Sequence, residues 1–549
     1  MKGLKFTLFI ILLILIGLSV TLLIIESFTD KGKISLNNYT MTFSRRSNIR
    51  SFERTIYLAI FTSLFAGFVG ATSAWLVART NLPGRRILRT ILVVPFMVPP
   101  FIGAMGWMFF LGRGGYLNKL WMSLFGREFY DIHTFSGIVL VLGMYLYPLV
   151  FLNVASALEK MDPSLEEAAR MCGAKVGRIM KDISLPLVLP SILSGMLLVF
   201  ASAAANFGVP AIIGMPGRVY VLTTKIMSYL YGGTITGLRR AVALSVALIG
   251  VAVIGLILNN ILTSKSKFTI ITGKYTRPLL VDLKGARWIG YLLWAFAIIA
   301  VFVPMFSIFL TALWKAWGLP FKLSSFTFSN FTYVLFKYSE TKRAIANSFL
   351  YAIIAATITT IIGALVAYTV KKQRDPMTKI MEFLSTIPQA IPGTVVAVAM
   401  ILTWSGKLKI NLYNTVWIII LAYIARYLFF SVRTVTGGLS QIHSSLEEAA
   451  RSSGAKELRV ARDITFPLLW PSLFASWVLI FMPTLRELTI SILLYGPHTK
   501  TIGVAIYELQ DAGEYEAASA MATIVLIITF TLQVIMNAIT KRKKRGDLA

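Results

Sequence analysis

The 549-residue sequence has one cysteine, Cys172, and three histidines, His133, His443 and His498. One thiol excludes an intrachain disulfide, and three scattered imidazoles give no ligand cluster of metal-site spacing, so no metal site is expected. Carboxylates are also scarce, 24 against 54 lysines and arginines, for a formal net charge of +30. Such a surplus would suit nucleic acid, but most of these basic residues lie in short segments between apolar runs rather than on one polar domain, which argues against that partner. No stretch reads G-x-x-x-x-G-K followed by serine or threonine, so the chain has no phosphate-cradling loop of its own. Nor is there a Ser/His/Asp or Cys/His constellation, and no catalytic residue is expected.

What the chain has in abundance is apolar surface. Some 56% of the residues are apolar and 14% charged, with a mean hydropathy of +0.73, the composition of an integral membrane protein. Runs of about 20 apolar residues predict spanning α-helices. Twelve are counted, near 6–25, 56–78, 90–111, 136–154, 190–213, 241–263, 289–312, 345–370, 383–404, 415–432, 468–495 and 519–540. The first follows Lys2 and Lys5 as a secretory signal would, but it is too long for one and no small-x-small cleavage site follows, so it is read as a first spanning helix.

An internal repeat organises the rest. "EEAARMCGAKVGRIMKDISLPLVLP", Glu166 to Pro190, returns 281 residues later as "EEAARSSGAKELRVARDITFPLLWP", Glu447 to Pro471. Upstream, "VPFMVP" (Val94 to Pro99) faces "IPQAIP" (Ile387 to Pro392), and Gly70 and Pro83 face Gly363 and Pro376, at an offset of 293. The twelve-residue difference fits the segment Gly112 to His133, longer than its counterpart near Ser405 to Asn414. The expected fold is therefore all-α, with about twelve transmembrane helices in two six-helix repeats, 1–270 and 271–549. Six is even, so the repeats are parallel and their equivalent loops face one compartment. With both termini inside, Arg79–Arg89, Lys371–Lys379, Arg433–Arg462 and Lys541–Arg545 become cytoplasmic, in keeping with the positive-inside rule. The outer loop carrying Lys31, Lys33, Arg45, Arg46, Arg50 and Arg54 runs against that rule.

The duplicated loops, 162–190 and 443–471, read as two short helices with a hinge. Ser164 three residues before Glu167, and Ser445 three before Glu448, predict capping boxes. Glu166 and Glu167 complement the positive helix end. Ala168 and Ala169, with Ala449 and Ala450, leave a low surface for close approach by another protein. Gly173 and Gly454 permit a left-handed turn, after which Pro186 and Pro467 open the next spanning helix.

The pattern E-A-A, three residues, G, then I-x-L-P or I-x-F-P resembles the EAA loop of permease subunits in bacterial ATP-binding-cassette importers, and the six-plus-six arrangement extends the likeness to nearly the whole chain. The resemblance implies a type I importer architecture in the bacterial cytoplasmic membrane, with two copies of a separate nucleotide-binding ATPase subunit. ATP-Mg would then sit on those subunits, with no cofactor in this chain, and an extracytoplasmic binding protein would deliver the cargo. Carried over, the ATPase-docking residues are Glu166, Glu167, Ala168, Ala169 and Gly173, with Glu447, Glu448, Ala449, Ala450 and Gly454. "ITFP" (Ile464 to Pro467) departs mildly from the usual leucine before proline. The segments Trp75 to Pro100 and Leu485 to Leu509 look most like ferric-iron importer permeases, with thiamine, polyamine and phosphonate permeases as alternatives.

Few charges fall inside the predicted spans. Glu487 lies beside Arg486, and its repeat equivalent is Asn206. The pair is a candidate for the translocation path, with an Arg486–Glu487 contact or snorkelling to the interface as the structural alternative. Snorkelling is also expected of Arg426. An ion-coupled secondary transporter is the rival class, although one intramembrane carboxylate makes a poor proton relay.

Overall fold

A proline ring pushes the residue before it out of the helical region, and this reshapes two of the twelve runs. The computed structural model describes residues 2–546 apart from 31, 163, 266–279, 283–286, 321 and 374. In it, Val98 before Pro99 (φ −80°, ψ 136°) and Ile391 before Pro392 (φ −91°, ψ 121°) are extended. The runs 90–111 and 383–404 are thus bent pairs rather than single rods. Arg85–Met97 turns by 100° into Pro100–Phe125, and Pro376–Ala390 turns by 119° into Gly393–Trp404. Among the described residues ten further helices are long and apolar enough to cross a bilayer, and the number rises to twelve if each bent pair is one span.

The runs 190–213 and 468–495 are also interrupted. Leu185–Ala204 and Phe466–Leu485 end early, and the short turns Pro210–Gly214 and Ser491–Leu494 come after them. Part of the basic segment expected to be an outer loop is helical: Arg46–Arg79 is one 34-residue helix, as is its repeat equivalent Ser339–Lys372. At 1.5 Å per residue each is about 51 Å long against a hydrocarbon core of about 30 Å. Arg46, Arg50 and Arg54 lie in the first turns of one of these helices, and part of each helix is longer than that core can hold.

The chain forms two compact units that cut across the two sequence halves. One contains 42–228 and 247–327, the other 1–41, 229–246 and 328–549. The boundary at 270/271 lies outside the described residues. In the first unit Arg46–Arg79 packs along Phe135–Lys160, Leu185–Ala204 packs on both, and Arg287–Ala312, from the second half of the sequence, packs on Pro100–Leu111. The second unit repeats the three-helix core with Ser339–Lys372, Val416–Gln441 and Phe466–Leu485, and there Ser19–Ser27, from the first half, packs on Gly393–Trp404.

Close approach in each core rests on one glycine, as small residues allow between membrane helices. A Cβ on Gly70 would meet the Tyr147 carbonyl oxygen at 2.7 Å, Val150 Cβ at 2.8 Å and the Phe151 nitrogen at 2.9 Å. Gly363 faces the equivalent pair, Ser431 and Val432, and its nearest neighbours are Ser431 Oγ and Ser431 Cβ, with the Val432 nitrogen at 3.2 Å. A rotamer change can move the Ser431 hydroxyl but not its Cβ, so neither site admits a methyl without a backbone shift. Gly70→Ala and Gly363→Ala are therefore both expected to destabilise by about 1–3 kcal/mol, overpacking outweighing a helix-propensity gain of about 1 kcal/mol. Thermal unfolding of the two purified variants checks this, and an unchanged transition in either would contradict this account of the packing.

Candidate functional site

Each duplicated loop begins with a short helix, Ser164–Met171 or Ser444–Ser452, carrying acids in its first turn. The expected capping boxes are not what starts them. In the first loop the Ser164 amide donates to Asp162 Oδ1 at 2.9 Å. In the second, the residue preceding the helix is His443, which makes no side-chain cap, while its Nδ1 lies 2.9 Å from Ser445 Oγ. The helices begin at or before the serines expected to cap them, so those hydroxyls sit inside the first turn, where capping is not available to them. The glycine turns are as the sequence implies. Gly173 (φ 79°) and Gly454 (φ 83°) are left-handed, and the amides beyond them, Ala174 and Ala455, reach back to the Ala169 and Ala450 carbonyls, both at 3.0 Å. This is the six-to-one bond of a Schellman close.

After the turn the copies stay parallel in detail. Val176–Ile179 and Glu457–Val460 each run through a π-turn into the next spanning helix. The pairs Arg178–Asp182 and Arg459–Asp463 both stand at 3.4 Å.

The two glutamates of each loop point to different surroundings. Glu166 is 4% exposed and Glu447 8%. Glu166 accepts from Ser184 Oγ at 2.6 Å, with Arg79 Nε 3.4 Å away. Glu447 accepts from Thr465 Oγ1 at 2.9 Å and from the Lys372 ammonium, with Arg451 at 3.8 Å. Ser184 and Thr465 are repeat equivalents, as are Arg79 and Lys372. The Arg79 guanidinium also donates to the Leu158 carbonyl at 2.9 Å. In the second unit the equivalent carbonyl, Leu439, is taken by Lys371. One forked guanidinium thus does the work of two point-charge ammonium groups. Burial alone would push the Glu447 carboxyl up, but its bonds from Lys372 and Thr465 hold it below the ordinary value.

The outward face keeps the remaining residues. Glu448, Ala168, Ala449, Gly173 and Gly454 are exposed, Glu167, Ala169 and Ala450 half-buried, and Cys172 is exposed. Sequence reasoning missed Arg79, Ser184, Lys371, Lys372 and Thr465. The signal that would have found them is the repeat itself, which keeps a hydroxyl at 184 and 465 and a cation at 79 and 372.

Asn206 and Glu487 sit at the equivalent helix breaks and cap the short turns beyond them. Asn206 Oδ1 accepts from the Val209 amide at 3.0 Å. Glu487 accepts from the Ile490 amide at 2.8 and 3.0 Å and from the Ser491 amide at 3.1 Å. Arg426 does not snorkel. It donates to the Pro388 carbonyl at 3.0 Å and to the Ile391 carbonyl, groups left without helical partners where Pro392 breaks the bent pair. Losing a cap costs about 0.5–2 kcal/mol, so Glu487→Ala is expected to lower stability more than Asn206→Ala, with Glu487→Gln restoring part of the loss. Thermal unfolding that ranks Asn206→Ala as the worse variant would refute the assignment.

Among the described residues no group of three or more His, Cys, Asp or Glu is placed to hold a metal ion. The two equivalent, internally anchored loops sit on a duplicated fold with ten to twelve candidate membrane helices among the described residues. The chain belongs to the family described as binding-protein-dependent transport system inner membrane component, which it matches twice, over residues 63–267 and 359–545. It is the permease type of subunit of ATP-binding-cassette importers, and the ion-coupled secondary transporter is set aside. It is 28% identical over 490 residues to the ferric transport system permease protein of Actinobacillus pleuropneumoniae, covering 87% of this chain and 70% of that one. It is 31% identical over 208 residues, 37% of this chain and 88% of the other, to the molybdenum transport system permease protein of Escherichia coli K12. A solved bacterial importer of the acidic polysaccharide alginate matches 46% of this chain and 91% of its own, at 19% identity and a TM-score of 0.39.

Proposed function

We propose that this chain forms the translocation path of a ferric-iron importer in the bacterial cytoplasmic membrane, and that each loop seats one separate ATP-hydrolysing subunit. The observation that carries the coupling part is the pair of matched anchors. Glu166 and Glu447, tied to the ends of the Arg46–Arg79 and Ser339–Lys372 helices, fix each loop helix to its unit so that a push on the loop moves the helix core. Glu167, Ala168, Ala169 and Gly173, with Glu448, Ala449, Ala450 and Gly454, make the contact itself, while Glu166 and Glu447 serve it from behind. ATP-Mg belongs on the partner subunits, and closure of their dimer biases the permease toward one of its two states through the loops. Both termini and both loops lie on the cytoplasmic side, and a binding protein delivers cargo from the other. Asn206 and Glu487 belong to the path by holding the broken backbone open to it.

Iron is supported by the ferric transport permease that matches 87% of this chain, against a molybdenum relative that matches 37%. The test is uptake of radiolabelled ferric iron and of molybdate by energised vesicles carrying the complete transporter, with and without ATP. ATP-dependent ferric uptake is the expected result. Molybdate uptake without ferric uptake would overturn the cargo, and ATP-independent uptake would overturn the coupling.

A further inference from the structure

Apart from both loops, the unit that contains 328–549 has an open cavity of about 620 Å³, lined by the turn at 230–238, by Tyr413 and Asn414 and by the stretch 492–508. Oxygen donors converge on its wall. Tyr495 Oη donates to Glu508 Oε1 at 2.8 Å. The Tyr231 hydroxyl, 3.2 Å from the Ile492 carbonyl oxygen, lies beside that of Tyr495. Lys500 holds the far side, 2.9 Å from Glu508 Oε2 and 2.7 Å from Glu340 Oε2.

The duplication supplies an internal control. Pro210–Gly214 and Ser491–Leu494 match at 281 residues, placing Gly214 opposite Tyr495. Beyond the next turn the Leu222 amide bonds Thr55 Oγ1 and the Ile502 amide bonds Ser348 Oγ, both at 2.8 Å, which sets the offset to 280 and places Ser228 opposite Glu508. The fold therefore forms in the other copy with neither the phenol nor the carboxylate. Packing does not require this donor set, and it opens onto a space large enough for a cargo.

Phenolate and carboxylate oxygens suit hard cations of high charge, whereas soft metals select thiolate and thioether. We propose that Tyr231, Tyr495 and Glu508 form a transient site for a hard trivalent cation, ferric iron on the cargo reading above, which this inference rests on and deepens. Coordination breaks two phenol O–H bonds and the Tyr495–Glu508 hydrogen bond, forms three metal–oxygen bonds, two to phenolate and one to the Glu508 carboxylate, and passes two protons to water, with no electron transferred. Lys500 gives up Glu508 and keeps Glu340. Phenols are protonated at neutral pH, so the cation has to displace two protons. Affinity is thereby kept low and rises with pH, as suits a site that must release what it takes. The charged and titratable neighbours of the two phenols are Glu508, Asp511 and Tyr413.

The experiment titrates the purified full chain in nanodiscs with ferric nitrilotriacetate, using the gallium(III) complex as a competitor that cannot be reduced. A visible phenolate-to-iron charge-transfer band is expected, displaced by gallium and stronger at higher pH. Tyr231→Phe, Tyr495→Phe and Glu508→Gln should each weaken binding by roughly tenfold or more. Absence of the band in wild-type protein, or an unchanged band in the folded Tyr231→Phe/Tyr495→Phe double variant, overturns the site. Ferric uptake measured in parallel separates the two readings. A bandless double variant that imports ferric iron at the wild-type rate removes the site and leaves the cargo. A wild-type band without ferric uptake removes the cargo and leaves a trivalent-cation site.

Discussion

Reversing charge at both Glu167 and Glu448, as Glu167→Lys with Glu448→Lys, is expected to abolish ATP-driven uptake while the protein stays folded in the membrane. Glu167 lies in the first turn of its loop helix and Glu448 one residue past the first turn of the other, near enough for a carboxylate to complement the positive helix end. A lysine there costs that helix only about 0.3–1 kcal/mol, too little to unfold a unit whose anchor is the neighbouring buried glutamate. What the change removes is the outward charge beside the low surface of Ala168 and Ala449, both exposed. Loss of transport should therefore accompany loss of ATPase capture on co-purification, with the thermal transition of the permease barely moved. Uptake at the wild-type rate in the double variant would end the docking assignment.

The second large effect is expected from Arg79→Ala. Arg79 and Glu166 have side chains only 2% and 6% exposed, and removing one partner of a buried pair leaves an uncompensated charge, at a cost of about 3–5 kcal/mol. The Leu158 carbonyl loses its partner as well. Lys372→Ala should cost clearly less. Its pair is more open, 22% and 11% exposed, Arg451 stands close by, and Lys371 still serves Leu439. Adding Glu166→Gln to Arg79→Ala should restore part of the loss, because it removes the stranded charge while keeping an acceptor for Ser184. Thermal unfolding in detergent measures all three. Equal costs for the two cations, or no rescue, would show that the anchors do not work in this way. The sign of the pH effect comes from Glu447, held below its ordinary value of 4.5. The second anchor contributes in full above that value and weakens as pH falls through the lower folded one.

Wherever the signal is local, the sequence was sufficient. Long apolar runs, the 281-residue echo of the loops and the glycines at 173 and 454 act through hydropathy and backbone freedom within a few residues, so about ten to twelve membrane helices, a duplication and two left-handed turns could be read directly. The prolines at 99 and 392 were equally visible, but hydropathy averages over a window and carries no information about a bend. The capping boxes failed for a related reason, since a serine three residues before a glutamate gives the same pattern whether the helix starts at it or before it.

Only the tertiary structure decided which glutamate of each pair turns inward. Glu166 and Glu167 are adjacent, alike in chemistry and both near a helix start, and what separates them is a hydroxyl 18 residues onward and a cation at the end of another helix, 75 residues back in the second copy. The exchange of first helices between the compact units was equally beyond reach, because Ser19–Ser27 and Arg287–Ala312 are apolar enough to pack on either bundle. The sequence by itself determined what must lie in the membrane and what is repeated. Which side chains meet depended on helices brought together from distant parts of the chain, where geometry selects among residues that composition treats as equal.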